Sequence, residues 1–588
     1  MQQSARNVTA MSSGLAVGRG LTLGCLTGIV TFGLLAVSGV VSSESGFVFL
    51  VGALAALGFG LSPPSRPRLE AFGSMLVGLV GLVAGAVSGF GWLEYSVIAG
   101  AILGAFWLAT GGRTPLDPWR WSAWGWFMAP LLLVVLLPLV LDGGTLGHDE
   151  SAYALKARQW LEGTPGTGWS PHRATGMSVY GYAVLAMGGA EPGLRMLGLG
   201  ATIALASGAW ALAKRLADVK VAFFASIAVV AGPAVLFRGT EYLSDLPAAA
   251  LLVFCMVVVW REFEDRELPG WRILWVLPLA WGAFYLRYQS ALSLALLGII
   301  MVALWWPKIR RRPAPVLMLV GLGLVGLIPH FKHSIDLRGT PWGILLNTSG
   351  AVRAYVGEGL VDYASQIAWD IAGYVGPVAL IAAVVGVVVS RGDRNALRRY
   401  LFLLVPAVAQ VLVLGLISHG EPRFIFFPLA LIVIAGIVAI DALLKVAGTT
   451  WREPVVLAFS VLLVGSLAIS ASQARESVAS RVASNEPVEL AAVEVAGIAG
   501  DLSCGVLTSY SPQITFYSGC FTEVFGVRPG PEESVEHLRG DAKFMVLIED
   551  GKRQPLGGDL EGFIDLTSGA PVVIVTDRGG ALVYTFEG

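Results

Sequence analysis

Residues 131–163 have the sequence LLLVVLLPLVLDGGTLGHDESAYALKARQWLEG, and this stretch joins two kinds of structure. Its apolar part belongs to a run over Trp124–Leu141, close to the ~20 residues that a helix needs to cross a bilayer. Polar residues follow at once, with Asp149 and Glu150 side by side, and Ser151–Leu161 then has the pattern of an amphipathic helix. The stretch predicts a membrane-spanning helix that is followed by two carboxylates at the membrane surface.

Long apolar runs recur along the whole chain. Of its 588 residues, 55% are hydrophobic and 14% are charged, against roughly 25% charged in an average soluble domain, which excludes a soluble globular protein. The 40 basic and 41 acidic residues nearly cancel, so no overall field indicates a nucleic acid partner. The sequence predicts a polytopic α-helical membrane protein with about 13–15 transmembrane helices. The candidate spans are Leu21–Val41, Phe47–Leu61, Phe72–Phe90, Val97–Thr110, Trp124–Leu141, Met196–Ala213, Val221–Phe237, Leu246–Val259, Ile273–Leu286, Ala291–Trp306, Val316–Pro329, Tyr374–Val389, Leu401–Ile417, Phe424–Leu444 and Val455–Ile469.

Lysine and arginine are concentrated in alternate connections between these runs, which is the positive-inside pattern if the N-terminus is cytoplasmic. The loops 142–195 and 330–373, and everything after Ser470, then lie outside. Met177–Met187 is apolar but too short to span, and counting it as a span would break the pattern, so we expect an interfacial or re-entrant helix there. These features predict a multi-pass protein of the cytoplasmic (inner) membrane with an extracytoplasmic C-terminal region.

Composition divides the chain into three parts. Residues 1–111 hold the first four spans and few polar groups, so they are predicted to be an N-terminal transmembrane addition to the main transmembrane module, residues 112–471. Residues 472–588 are predicted to form a small extracytoplasmic α/β domain, in which a polar helix over Glu476–Gly500 precedes short strands. The predicted strands are Gly505–Ser509, Ala542–Ile548, Val572–Thr576 and Leu582–Phe586.

The four cysteines fall into two classes. Cys25 and Cys255 lie inside apolar spans and are interpreted as small core residues. Cys504 and Cys520 both lie in the predicted outside domain, where a disulfide would close a short loop, contribute about 3 kcal/mol and indicate an oxidising compartment. A metal site there is disfavoured because His537 is a lone further ligand and four are normally needed.

The carboxylates at the end of the quoted span are the first candidates for chemistry. Asp149 and Glu150 point in different directions on a helix, so one would act while the other orients or caps. The alternative is that both are ordinary acidic residues at a helix start, where the macrodipole favours them. The neighbouring polar and aromatic candidates are His148, Tyr153, Lys156 and Arg158.

Further charged residues stand at the outer ends of later spans. Asp245 directly precedes an apolar run, as either a site residue or a helix cap. Arg287 lies near or within the outer leaflet, where a costly charge indicates a cavity or an anionic lipid headgroup. His419, Glu421 and Arg423 stand at another boundary, where the alternative to a site is a snorkelling arginine beside an aromatic belt.

These features together resemble the GT-C class of glycosyltransferases over about residues 124–469. The segments GHDESAY, KARQWLEG, SVYGYAVLAMGG and LRMLGLG resemble the polyprenyl-phosphate-sugar branch, which includes protein O-mannosyltransferases and aminoarabinose lipid A transferases. The segment SHGEPRFIFFPLA is similar to the His-Lys-Glu-x-Arg-Phe segment of lipid-linked mannosyltransferases, with Gly420 in place of the Lys.

The resemblance implies transfer of a sugar from a polyprenyl-phosphate donor to a hydroxyl of a glycolipid, glycan or protein acceptor, on the outer face of the membrane. Asp149 would be the general base, and Asp245 would orient an arginine or bind the acceptor. Cations would meet the charge of the leaving phosphate. Candidates for that role are Arg287, Arg423, His419, Lys156 and Arg158. Candidates for acceptor contact or support are His148, Tyr153 and Glu421.

No third carboxylate clusters with Asp149 and Glu150, so the expected chemistry uses no metal and no other cofactor.

Two other function classes stay open at this point. A transporter or flippase of lipid-linked or envelope components is the main alternative, although the sequence has no convincing internal repeat. A structural scaffold that binds envelope glycan is the third class, and it would tolerate Asp149→Asn.

Overall fold

The apolar runs of the sequence fold into long helices, which dominate the structure. The computed structural model describes residues 131–586, apart from residues 168, 171, 172, 348–354, 448, 550, 552, 553, 577 and 578. The predicted N-terminal addition and the beginning of the span over Trp124–Leu141 lie outside the described residues. All described residues belong to one compact unit.

The helices before the C-terminal domain are α1 (Leu131–Leu141), α2 (His148–Glu162), α3 (Gly176–Ala186), α4 (Glu191–Leu216), α5 (Val219–Ala228), α6 (Pro233–Arg238), α7 (Asp245–Phe263), α8 (Val276–Leu286), α9 (Ser290–Arg311), α10 (Ala314–Gly326), α11 (Ile328–Arg338), α12 (Gly343–Asn347), α13 (Glu358–Ala372), α14 (Val375–Val389), α15 (Arg394–Ile417), α16 (Phe426–Ala447) and α17 (Thr449–Ala499). Short 3₁₀ turns at Trp271–Trp275, Ser390–Gly392 and Pro422–Ile425 extend α8, α14 and α16.

Within the described part of the chain, seven helices are long and apolar enough to cross a membrane, namely α4, α7, α9, α14, α15, α16 and α17. The bent pair α10 and α11, at 43°, makes an eighth if it is one span. Shorter apolar helices are α1, α3, α5 and the segment Trp271–Leu286. The predicted class of polytopic helical membrane protein is therefore confirmed, and α3 is the short helix expected over Met177–Met187.

One predicted span is wrong. Val221–Phe237 is not a single helix, because α5 ends at Ala228 and α6 begins at Pro233, with Gly232 in an extended conformation between them. Proline lacks the N–H that would continue a helix, and it pushes the preceding residue out of helical geometry. The Gly232-Pro233 pair therefore ends one helix and starts the next.

A single helix, α17, carries the chain from the membrane into the C-terminal domain. Its 51 residues include both the predicted span Val455–Ile469 and most of the predicted polar helix Glu476–Gly500, so the change in composition near Ser472 is not a break in structure. The last turns of α17 pack against the sheet of the C-terminal domain, where Val495 joins Phe544 in a buried core.

The C-terminal domain is a five-stranded mixed sheet with short helices, which confirms the predicted α/β class. The strands are β1 (Cys504–Leu507), β2 (Phe521–Glu523), β3 (Ala542–Ile548), β4 (Thr567–Thr576) and β5 (Gly579–Phe586), in the order β2-β1-β3-β5-β4. The helices are α18 (Ser511–Ser518), α19 (Pro531–Glu536) and α20 (Gly558–Ile564). Strands β1, β2 and β3 are parallel, whereas β5 is antiparallel to both β3 and β4. The predicted disulfide joins Cys504 to Cys520.

Candidate active site

Helix α2 begins with a one-sided cap, in which the Glu150 side chain accepts from the backbone of the residue before the helix. Gly147 is extended, and its N–H donates to the Glu150 carboxylate over 2.8 Å, which satisfies one of the unpaired donors at the helix start. Asp149 and Glu150 lie in the first turn, where the macrodipole favours negative charge. The helix ends at Gly163, whose φ of 75° is the left-handed geometry that glycine adopts readily.

The Asp149 carboxylate bridges two arginines from distant parts of the chain. Arg173 Nη2 lies 2.6 Å from one carboxylate oxygen, and Arg423 Nη1 lies 2.9 Å from the other. Burial disfavours the charged form, but the ion pairs with Arg173 and Arg423 outweigh burial and hold the pKa of Asp149 well below its usual range. Asp149 is therefore ionised at neutral pH.

Glu150 has a different environment, because its side chain is only 2% exposed. Its carboxylate accepts from Arg195 Nε over 3.1 Å and from the Tyr242 N–H over 2.8 Å, in addition to the Gly147 N–H. Burial opposes ionisation, yet the guanidinium of Arg195 lowers the pKa of Glu150. These contacts fully occupy the carboxylate and give Glu150 the orienting position that the sequence assigned to one member of the pair.

Asp245 and Arg287 form a second ion pair at the edge of the same region. Asp245 is the first residue of α7, and Arg287 follows the last residue of α8 in an extended conformation. The Arg287 guanidinium binds Asp245 and also donates to the Gln289 side-chain carbonyl over 2.8 and 3.0 Å. It stacks over the ring of Phe424 at 5.1 Å. Asp245 thus holds an arginine rather than capping its own helix.

His419, Glu421 and Arg423 form a chain of contacts at the entry to α16. Arg423 Nε binds the Glu421 carboxylate, which also lies 3.0 Å from His419 Nε2. Burial raises the pKa of Glu421, but Arg423 and His419 outweigh it and lower that pKa overall. Arg423 therefore bridges Glu421 and Asp149 and links two of the predicted segments.

A narrow, cleft-like pocket, partly open to solvent, lies between α7, α9, α15 and the start of α16. Its lining combines charged groups, including Asp245, Arg287 and Arg423, with alanine, leucine and phenylalanine side chains. The lining residues are Asp245, Ala248, Ala249, Leu252, Arg287, Gln289, Ser290, Ser293, Gln410, Arg423, Phe424, Phe426 and Phe427. This combination suits a ligand with an anionic head and an apolar body.

Other predicted site residues take different positions. Among the described residues, the pocket lining does not include Lys156 or Arg158. Lys156 donates to Gln159 over 2.7 Å, and Arg158 binds Glu162 and the Phe516 carbonyl. Tyr153 is buried, and the Arg173 guanidinium lies 5.2 Å from the centre of its ring, so it supports an arginine of the site. His148 is exposed as the first residue of α2.

Sequence reasoning missed Arg173 and Arg195, although both lie in the loop 142–195. Arg195 stands in the second turn from the start of α4, where the helix macrodipole disfavours a cation. This position is a weak signal that Arg195 has a carboxylate partner, and it does not identify Glu150 as that partner. Arg173 carried no comparable signal, because its partner Asp149 is 24 residues away across an irregular loop.

Comparison with solved structures identifies the fold. The chain is similar to ArnT from Cupriavidus metallidurans bound to undecaprenyl phosphate, with a TM-score of 0.54 and 13% identity over 79% of this chain and 98% of ArnT. ArnT in the apo state gives a TM-score of 0.55 and 14% identity over the same shares. No protein-family model matches the sequence, and no curated protein matches it. The chain has the GT-C-like membrane fold that the sequence motifs indicated.

Proposed function

We propose that this protein transfers a sugar from a polyprenyl-phosphate donor to an acceptor hydroxyl at the outer face of the cytoplasmic membrane. The observation that carries the proposal is the Asp149–Arg423 ion pair, because Arg423 also lines the pocket that contains Arg287 and Asp245. Asp149 does not itself line the pocket, but Arg423 links its carboxylate to the pocket that also contains Arg287. These are the groups needed for proton removal and for phosphate departure.

The pocket supports a lipid-phosphate donor. Arg287 and Arg423 both line it, and a guanidinium offers paired donors that match phosphate geometry. The apolar walls from α7 and α16 suit the first part of an isoprenoid chain. ArnT, which has a similar fold, has been crystallised with undecaprenyl phosphate, and this is consistent with such a donor.

The reaction is a single displacement at the anomeric carbon. Asp149 takes the proton of the acceptor hydroxyl while the oxygen of that hydroxyl forms a bond to the anomeric carbon. The bond from that carbon to the phosphate oxygen breaks, and the polyprenyl phosphate leaves with the electron pair. Arg287 and Arg423 stabilise the charge that grows on the leaving phosphate. One displacement on the face opposite the leaving group inverts the anomeric configuration.

Donor binding would change the ion pairs of Asp149 and so its basicity. Arg173 and Arg423 lower the pKa of Asp149, which makes the carboxylate a weak proton acceptor before substrate binds. A donor phosphate competes for Arg423, so one of the two stabilising charges turns away from Asp149. Its pKa then rises, and its basicity increases only when the donor is in place.

The proposal is tested with Asp149→Asn in the full-length protein in nanodiscs. The substrates are undecaprenyl-phospho-hexoses that carry a labelled sugar, offered with an extract of envelope acceptors. The wild type should transfer label, whereas Asp149→Asn should lose about 10²-fold or more in turnover and still bind undecaprenyl phosphate.

Asp265→Asn is the matched control, because Asp265 also pairs with an arginine, Arg215, but lies outside the site. This control should keep normal turnover. Full transfer by Asp149→Asn would contradict the assigned base. Failure of the wild type to transfer label from any donor, with no binding of undecaprenyl phosphate, would contradict the proposed function.

A further inference from the structure

Helix α18 of the C-terminal domain holds the backbone of Leu146, which lies just before the start of α2. The Leu146 N–H donates to the Tyr517 hydroxyl over 2.9 Å, and Gln513 Nε2 donates to the Leu146 carbonyl over 3.0 Å. Both Leu146 and Gln513 are fully buried. Each backbone polar group of one loop residue is therefore paired with a side chain more than 360 residues away in sequence.

Neighbouring contacts strengthen this attachment. Gln513 Nε2 also donates to Asn485 Oδ1 of α17 over 3.0 Å, which fixes the amide that reaches Leu146. Thr145 donates to the Glu489 carboxylate of α17. On the next face of α2, Arg158 donates to the Phe516 carbonyl of α18. The C-terminal domain and α17 together hold the loop from more than one side.

This attachment lies close to the proposed base without touching it. Leu146 precedes Gly147, the residue that caps α2, and Asp149 is the second residue of that helix. Asp149 makes its ion pairs with Arg173 and Arg423, which belong to the transmembrane module. A shift of Leu146 would therefore be passed through the helix start to the Asp149 carboxylate.

We propose that Gln513 and Tyr517 are positioning residues that set the place of Asp149. The kinetic part of this inference rests on the proposed function, whereas the attachment itself does not. The C-terminal domain then contributes to the active site indirectly, because it orders the loop that precedes the helix carrying the base. Binding of the lipid phosphate depends on Arg287 and Arg423 and is independent of this attachment.

The test compares the double variant Gln513→Ala/Tyr517→Phe with the control Gln554→Ala/Tyr584→Phe. Gln554 forms the same kind of backbone pairing inside the C-terminal domain, with the N–H and carbonyl of Ile548, and Tyr584 is buried in that domain. Each double variant removes one glutamine that hydrogen-bonds to a backbone segment and one phenol hydroxyl. Only Gln513 and Tyr517 contact the loop before α2.

Hydrogen exchange of the peptide over residues 144–151 is the first measurement, and it assumes no reaction. Exchange should accelerate by about tenfold in Gln513→Ala/Tyr517→Phe and stay at the wild-type rate in the control. Unchanged protection in the first variant would overturn the attachment. This outcome does not depend on whether the chain is a transferase.

The second measurement is kinetic and uses the labelled undecaprenyl-phospho-hexose that the wild type accepts. A misplaced base should lower kcat by about 10- to 100-fold while KM for the donor and binding of undecaprenyl phosphate stay unchanged. A rise in donor KM with an unchanged kcat would overturn the positioning role. Accelerated exchange with unchanged kcat would also overturn it, and would leave the attachment as a purely structural contact.

Discussion

At the scale of single residues, the two adjacent acids illustrate how environment separates chemically similar groups. Glu150 is buried and fully hydrogen-bonded, whereas about a third of the Asp149 side chain is exposed and its carboxylate faces two arginines. The sequence indicated that only one of the pair could act. The residue types alone did not indicate which one, and only the family resemblance assigned the role to Asp149, because the two environments depend on Arg195 and Arg173, which approach through tertiary packing.

The ionisation of Asp149 gives a prediction for pH dependence. Because its pKa lies below the usual value of ~3.9 in the free protein, kcat/KM should stay level as pH falls from about 8 to about 5. Arg173→Gln removes one of the two cations, so the pKa of Asp149 should rise, and the acid limb of kcat/KM, which lies below pH ~5 in the wild type, should appear at higher pH.

The control for this pH profile is Arg215→Gln, which removes an ion pair with Asp265 outside the site. It should leave the acid limb where it is in the wild type. An acid limb that is unchanged in Arg173→Gln would show that Asp149 is not the group that must be deprotonated.

At the scale of elements, hydropathy predicted the long helices well and their interruptions poorly. The prediction over Val221–Phe237 was wrong because it used hydropathy alone, which does not detect breaks in the backbone. The pair Gly232-Pro233 inside this run is the local signal for such a break. Strand β2 was missed because its three residues are too short for a periodic pattern. The ion pair between Asp149 and Arg423 joins residues 274 apart in sequence, and only helix packing brings them together.

The disulfide gives a prediction at this scale, because the segment that it closes includes α18. Cys504→Ser/Cys520→Ser should lower the free energy of unfolding of the C-terminal domain by about 3 kcal/mol. The change in the free energy of unfolding is measured by chemical denaturation of the full-length protein, with proteolysis of this domain as the readout of its unfolding. Cys504→Ser alone should lose nearly as much, since either change opens the loop. Free thiols at both positions in protein purified without reductant would contradict this expectation.

At the scale of the whole molecule, the prediction is the orientation in the membrane. The alternating basic connections predict that the C-terminal domain lies outside the cytoplasm. Glu536→Cys, on the exposed surface of that domain, should react with an impermeant maleimide in intact spheroplasts, whereas Gly392→Cys should react only after lysis. The reverse labelling pattern would show that the orientation is inverted.

The charges around Asp149 and the pocket have a consequence for the end of the proposed catalytic cycle. Three carboxylates, Asp149, Asp245 and Glu421, are matched by three guanidinium groups, Arg173, Arg287 and Arg423. A glycosylated lipid phosphate is a diester with one negative charge, but the freed lipid phosphate is a monoester with about −1.5 to −2 at neutral pH.

The same arginines should therefore bind the freed lipid phosphate more tightly than the incoming glycosylated donor. Under the proposed reaction, departure of the lipid would then limit turnover. A rapid-quench experiment should show a burst of transferred sugar equal to the number of sites, followed by a slower steady rate. A steady rate from the first turnover would mean that dissociation of the freed lipid phosphate does not limit turnover.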